Sequence, residues 1–93
     1  MRIPKKLKIG TVTYTVNRSP KLKNRWGETS FLNSTITLST WFNKQYEGGT
    51  FMHEIFETIN AQHNLSMSHK DVSLLSELLY TVLTENNLLR EDR

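Results

Sequence analysis

The sequence predicts an α+β fold, because its hydrophobic pattern changes once along the chain. Up to about residue 42, apolar and polar residues alternate and threonine is frequent. From about residue 43, apolar residues recur every three or four positions. The first pattern belongs to strands and the second to amphipathic helices. The expected architecture is two N-terminal β-hairpins forming a small antiparallel sheet (1–42), followed by a region of two α-helices (43–93). Ninety-three residues leave room for a single domain.

In the first half, Leu7 and Ile9 occupy odd positions, whereas Val12, Tyr14 and Val16 occupy even ones. The phase changes at Gly10-Thr11, where a tight turn resets the register. Strands are therefore expected at about 6–9 and 12–17. Residues 18–26 contain Pro20, Asn24 and several basic side chains without periodicity, which reads as a loop. The second hairpin is expected from Glu28 to Leu32 and from Thr35 to Ser39, with a turn at Asn33-Ser34 and with Ile36 and Leu38 on one face. Thr29, Thr35 and Thr37 are β-branched and suit these strands.

In the second half, Gly48-Gly49 should interrupt the chain before a helix that Thr50 can N-cap. On a wheel of about 100° per residue, Phe51, Met52, Ile55, Phe56 and Ile59 form one apolar stripe facing a core. Ser68 and Asp71 open a second helix with a capping-box pattern. It is expected to run to about 87 and to bury Val72, Leu75, Leu78, Leu79, Val82 and Leu83. The tail from Arg90 should fray. Trp26, Trp41 and Phe42 are expected to pack a thin core.

Composition narrows the chemistry. Without cysteine there is no disulfide framework and no thiolate metal site, so a bound metal must be held by nitrogen and oxygen. No apolar run approaches the roughly 20 residues needed to cross a bilayer. The basic N-terminus lacks the apolar stretch of a secretory signal. The expectation is a cytoplasmic protein with no membrane partner. Net charge is +3, but residues 1–25 carry eight basic and no acidic side chains, whereas 26–93 carry four basic and nine acidic ones. Such a split suits either solvated lysines or a surface for an acidic partner. Apart from Trp26 the basic segment lacks interleaved aromatics, so a nucleic-acid partner is not expected.

The polar face of the first long helix holds the candidate site. His53 and Glu57 are four residues apart and stand one above the other, so both can grip one metal ion. Glu54 is swung about 100° around the helix, a position suited to polarising a metal-bound water rather than binding the ion. The motif is H-E-x-x-E, and a carboxylate is a ligand zinc accepts in place of a second imidazole. A polar helix face of this kind is also commonly just solvated. A third ligand has two candidates. His63 follows Glu57 by six residues, with Asn60 where a helix-breaking glycine would serve. His69 begins the second helix, and the 64–68 linker is long enough to bring it back.

The stretch Thr50-Phe51-Met52-His53-Glu54-Ile55-Phe56-Glu57-Thr58-Ile59-Asn60 resembles the helix of small zincin-type metallopeptidase-like proteins encoded by phages and prophages. The resemblance continues through Leu65, His69, Val72, Leu75, Leu79-Tyr80, Val82 and Leu83. It extends weakly to Ile9-Gly10, Tyr14, Val16, Gly27-Glu28 and Ile36. It implies a minimal zincin-like core in the cytoplasm of a phage-infected or lysogenic bacterial cell. It further implies one zinc ion on His53, Glu57 and His69, Glu54 as the catalytic carboxylate, and a peptide or protein substrate. It favours His69 over His63. A substrate strand would pair with the sheet near Leu38, whereas no residue is identifiable as the oxyanion donor: Tyr80 suits that role less well than that of a core-edge aromatic. The other reading is a non-catalytic binding protein with a structural metal or none, whose basic half meets an acidic partner.

Overall fold

The structure is a computed structural model that describes residues 1–89, so the expected fraying from Arg90 lies outside the described residues. Four strands precede two helices. These are β1 (Lys6–Ile9), β2 (Val12–Ser19), β3 (Gly27–Ser30), β4 (Thr35–Ser39), α1 (Glu47–His63) and α2 (His69–Glu85), with a 3₁₀ turn at Lys44–Tyr46. Both hairpins form, although β2 runs on to Ser19 and β3 ends at Ser30, leaving Phe31 and Leu32 in the turn. Gly10 takes φ 63° in the β1–β2 turn, and Ser34 takes φ 52° before β4.

The hairpins join differently from the expected antiparallel sheet. Strand order is β1-β2-β4-β3, and β2 pairs with β4 in parallel, Val16 opposite Ile36 and Arg18 opposite Leu38. The sheet is therefore mixed. The 20–26 loop carries the chain past the place of β4 and lays β3 down outside it. Side chains explain the order: Ile36 and Leu38 on β4 are fully buried, whereas β3 (Gly-Glu-Thr-Ser) has no large apolar group to bury. Consequently β4 is central and β3 is the edge, so the strand near Leu38 has no open edge for a substrate.

Helix α1 lies on the inner face of the sheet. Ile9, Tyr14, Val16, Ile36, Leu38 and Phe51 form the core, with Ile55 and Ile59 packed at its margin. Gln62 ties the end of α1 to the first hairpin by donating to the Ile9 carbonyl (3.0 Å) and the Tyr14 hydroxyl (3.2 Å). Arg18 on β2 holds the other end through a two-pronged pair with Glu47 (2.7 and 3.1 Å), which keeps the Glu47 carboxyl below its usual range.

Gly48 and Gly49 do not interrupt the chain; they lie in the first turn of α1, and Thr50 is not its N-cap. Close helix packing explains Gly48, where a Cβ would collide with the Tyr80 ring and hydroxyl on α2; at Gly49 a Cβ would meet Tyr80 only at ordinary contact distance. The Ser68 cap forms as its pattern suggests, accepting from the Asp71 N–H at 3.0 Å, and α2 ends at Glu85 rather than about 87. Helix α2 packs chiefly on α1. Only Val72 and Ser76 of α2 are buried. Leu75, Leu78, Leu79 and Val82 remain exposed, contrary to expectation, because nothing among the described residues covers the outer face of this third layer. No helix among the described residues is long and apolar enough to cross a membrane.

Candidate metal centre

His53, Glu54 and Glu57 are fixed by α1, whose opposite face is anchored in the core. His69 comes from a separate element and must be brought back by the linker. Asn64 ends α1 in the left-handed region (φ 49°) and donates to the Asn60 carbonyl, and Ser66 turns the chain again at φ 59°. The Asn60 side chain then clasps the linker at both polar atoms of one residue. Its Nδ2 donates to the Met67 carbonyl (3.1 Å), and its Oδ1 accepts from the Met67 N–H (3.0 Å). Ser68 starts α2 directly after this clasp, which places His69 over the polar face of α1.

The result is a compact trio. Glu57 Oε2 lies 3.3 Å from His53 Nε2 and 3.1 Å from His69 Nδ1. The two imidazole rings meet edge-on with centroids 5.1 Å apart. One ligand atom from each residue lies within 4.8 Å of the others, so His53, Glu57 and His69 can hold a metal ion. Zinc with bonds of about 2.0–2.1 Å separates tetrahedral ligands by about 3.3 Å. The two Glu57 distances match that edge, and a small inward movement of His69 would shorten the third. The His69 side chain is 77% exposed and has room to make it. Ser73, one turn further along α2, sets its hydroxyl 3.5 Å from His69 Nε2.

His63 does not join. Helix α1 is unbroken through Asn60, and His63 ends it exposed beyond the cluster. The left-handed residue is Asn64, four positions after the one whose glycine-like role would have turned His63 inward.

Glu54 is adjacent but differently housed. It is 6% exposed, lying beneath β3, and Thr29 Oγ1 donates to its Oε1 at 2.7 Å. Burial pushes the carboxyl above its usual range, with the Thr29 hydrogen bond and His53 opposing and Glu57 and Glu28 assisting. Gly27 makes the close approach possible, because a Cβ there would press on the side chains of Thr50 and Glu54. The sequence marked Thr29 only as a strand residue and Gly27 only within the weak part of the resemblance; the β3–α1 contact is what gives both a role at the site.

An open groove of about 880 Å³ runs from His53, Glu54 and His69 past Gly27 and Gly49 to Trp26, Tyr46 and Tyr80. The aromatics do not pack the core as expected. Trp26 stacks on Phe42 (centroids 4.3 Å apart, 14° between planes) and meets Tyr46 edge-on at 4.8 Å, while Trp41 is 58% exposed. Tyr80 lies on the groove wall against Gly48, at the seam between the helices. Compared with known proteins, the chain matches no family model, no curated protein and no solved structure.

Proposed function

We propose that the protein is a zinc-dependent metallohydrolase of the metallopeptidase-like type, acting on a peptide or protein. The observation that carries this reading is the convergence of His53, Glu57 and His69 from two helices beside a buried carboxylate with a raised pKa. Two imidazoles and a carboxylate are the donor set of zinc hydrolase sites that keep a fourth position open. Bound there, zinc would supply Lewis acidity, lowering the pKa of a water and polarising the scissile carbonyl.

The chain's own groups supply the rest. Glu57 sits between the two imidazoles and fixes their separation. Glu54, oriented by Thr29, takes the proton of the attacking water and delivers it to the leaving amine. Its raised pKa suits both halves of that transfer, because a strongly acidic carboxylate would be a poor base. An extended substrate has the β3 edge available for main-chain pairing, and β3 borders His53, Glu54 and Glu57 directly. The cytoplasm of a phage-infected or lysogenic cell is the compartment that accompanies this reading.

The competing reading is a non-catalytic protein whose trio holds a structural metal or none. The position of Glu57 Oε2 favours it, since His69 hydrogen-bonds to that oxygen and His53 lies within ion-pair distance of it without an ion. Zinc-loaded wild type and Glu54→Gln, assayed on a mixed fluorogenic peptide library, separate the two. Hydrolysis by wild type and a loss of about 10²-fold or more in a variant that retains zinc is expected. No cleavage by the zinc-loaded wild type, or equal cleavage by both, would overturn the enzyme reading.

A further inference from the structure

The loop 20–26 and the segment 41–46 lie far apart in sequence, but Ser39 binds them into one surface. Its N–H donates to the Trp26 carbonyl (2.9 Å), its hydroxyl donates to the Leu22 carbonyl, and the same hydroxyl accepts from the Trp41 N–H (3.0 Å). Leu22 is tucked in, whereas Lys21, Lys23, Arg25 and Lys44 are all exposed. Among these cations stand three exposed aromatics: Trp26, Trp41 and Tyr46. Lys23 Nζ already lies 4.7 Å over the Trp41 ring, so charge and π-face occupy the same site. The bordering acids are partly engaged, Glu28 with Arg25 at 3.6 Å and Glu47 with Arg18 at 2.7 Å.

From this we infer that the Lys21–Trp26 and Trp41–Tyr46 surface binds single-stranded nucleic acid. Two features favour that partner over an acidic protein segment. Exposed, preorganised aromatic faces provide stacking sites for bases, and cations among them meet the phosphates. A purely electrostatic surface for carboxylates needs no such aromatics, whereas here Lys23 lies directly over the Trp41 ring and Trp26 is braced by Phe42 and Tyr46. Sequence order hid the pattern, because two of its three exposed aromatics lie outside the basic segment.

The test uses the full chain with metal chelated, so that its result does not depend on the zinc site. A fluorescein-labelled oligothymidylate of about fifteen nucleotides is titrated at about 50 mM salt, and anisotropy and tryptophan quenching are followed. Saturable binding with quenching is expected. Trp41→Ala, at an exposed position, should weaken it about fivefold or more. Lys21→Gln with Lys23→Gln should reduce the slope of log affinity against log salt by about 1.4, the single-strand value for two lost phosphate contacts. The same replacements at Lys6 and Lys8 should leave the quenching intact. Absence of saturable binding would overturn the inference. So would affinity unchanged in Trp41→Ala, or equal competition by a polyglutamate peptide, which would identify a general anion surface.

Discussion

Replacing Asn60 with alanine removes the clasp that holds the linker, and its cost follows from two hydrogen bonds. Asn60 Nδ2 and Oδ1 engage the carbonyl and N–H of Met67 at 3.1 and 3.0 Å in a partly buried setting. Each is worth about 0.5–1.5 kcal/mol net. Alanine returns roughly 0.6 kcal/mol as the better helix former. The expected loss is therefore about 1–2 kcal/mol, read by urea denaturation of the metal-free protein, with the slope against urea unchanged. Because the same clasp sets His69 over Glu57, zinc affinity should fall as well, by up to about tenfold for 1.4 kcal/mol of lost ordering. Stability within about 0.3 kcal/mol of wild type, or zinc affinity unchanged, would refute the role assigned to Asn60.

Two further outcomes follow from packing and burial. The Glu54 carboxyl is raised by burial in the folded chain, so its ionisation opposes folding. That penalty is absent below the ordinary carboxylate range, grows as pH rises from the unfolded to the folded pKa, and is complete above the latter. Metal-free Glu54→Gln should therefore be more stable than wild type at pH 7, with the difference vanishing toward pH 4 in denaturation curves. Gly48→Ala should destabilise by about 1–3 kcal/mol through collision with Tyr80, despite the gain of about 1 kcal/mol in helix propensity. Tyr80→Ala in the Gly48→Ala background should recover part of that loss, and a double-mutant cycle in thermal melts reads the coupling.

Local patterns in the sequence corresponded to local structure. The phase change at Gly10 gave the first hairpin, Ile36 and Leu38 gave β4, and Ser68 with Asp71 gave the start of α2. The four-residue spacing of His53 and Glu57 likewise placed both on one helix face. What the sequence hid depends on tertiary contact. No period in β2 or β4 specifies that they pair in parallel, which moved the open edge from β4 to β3. Gly48 and Gly49 look like a break until α1 is seen to include both and Tyr80 is seen against Gly48. The Leu75, Leu78 and Val82 stripe has helical spacing whether or not another layer covers it. Asn60 attracted notice as a residue able to turn the chain, but it acts through its side chain, which only the folded linker reveals.

Zinc binding by the wild-type chain and by His53→Ala, Glu57→Ala and His69→Ala, measured calorimetrically and by metal content, bears most directly on the proposed centre. One zinc per chain is expected for wild type, with binding lost or weakened at least a hundredfold in each variant while His63→Ala matches wild type. No zinc uptake by wild type, or uptake that survives loss of His69, would contradict a centre built from both helices.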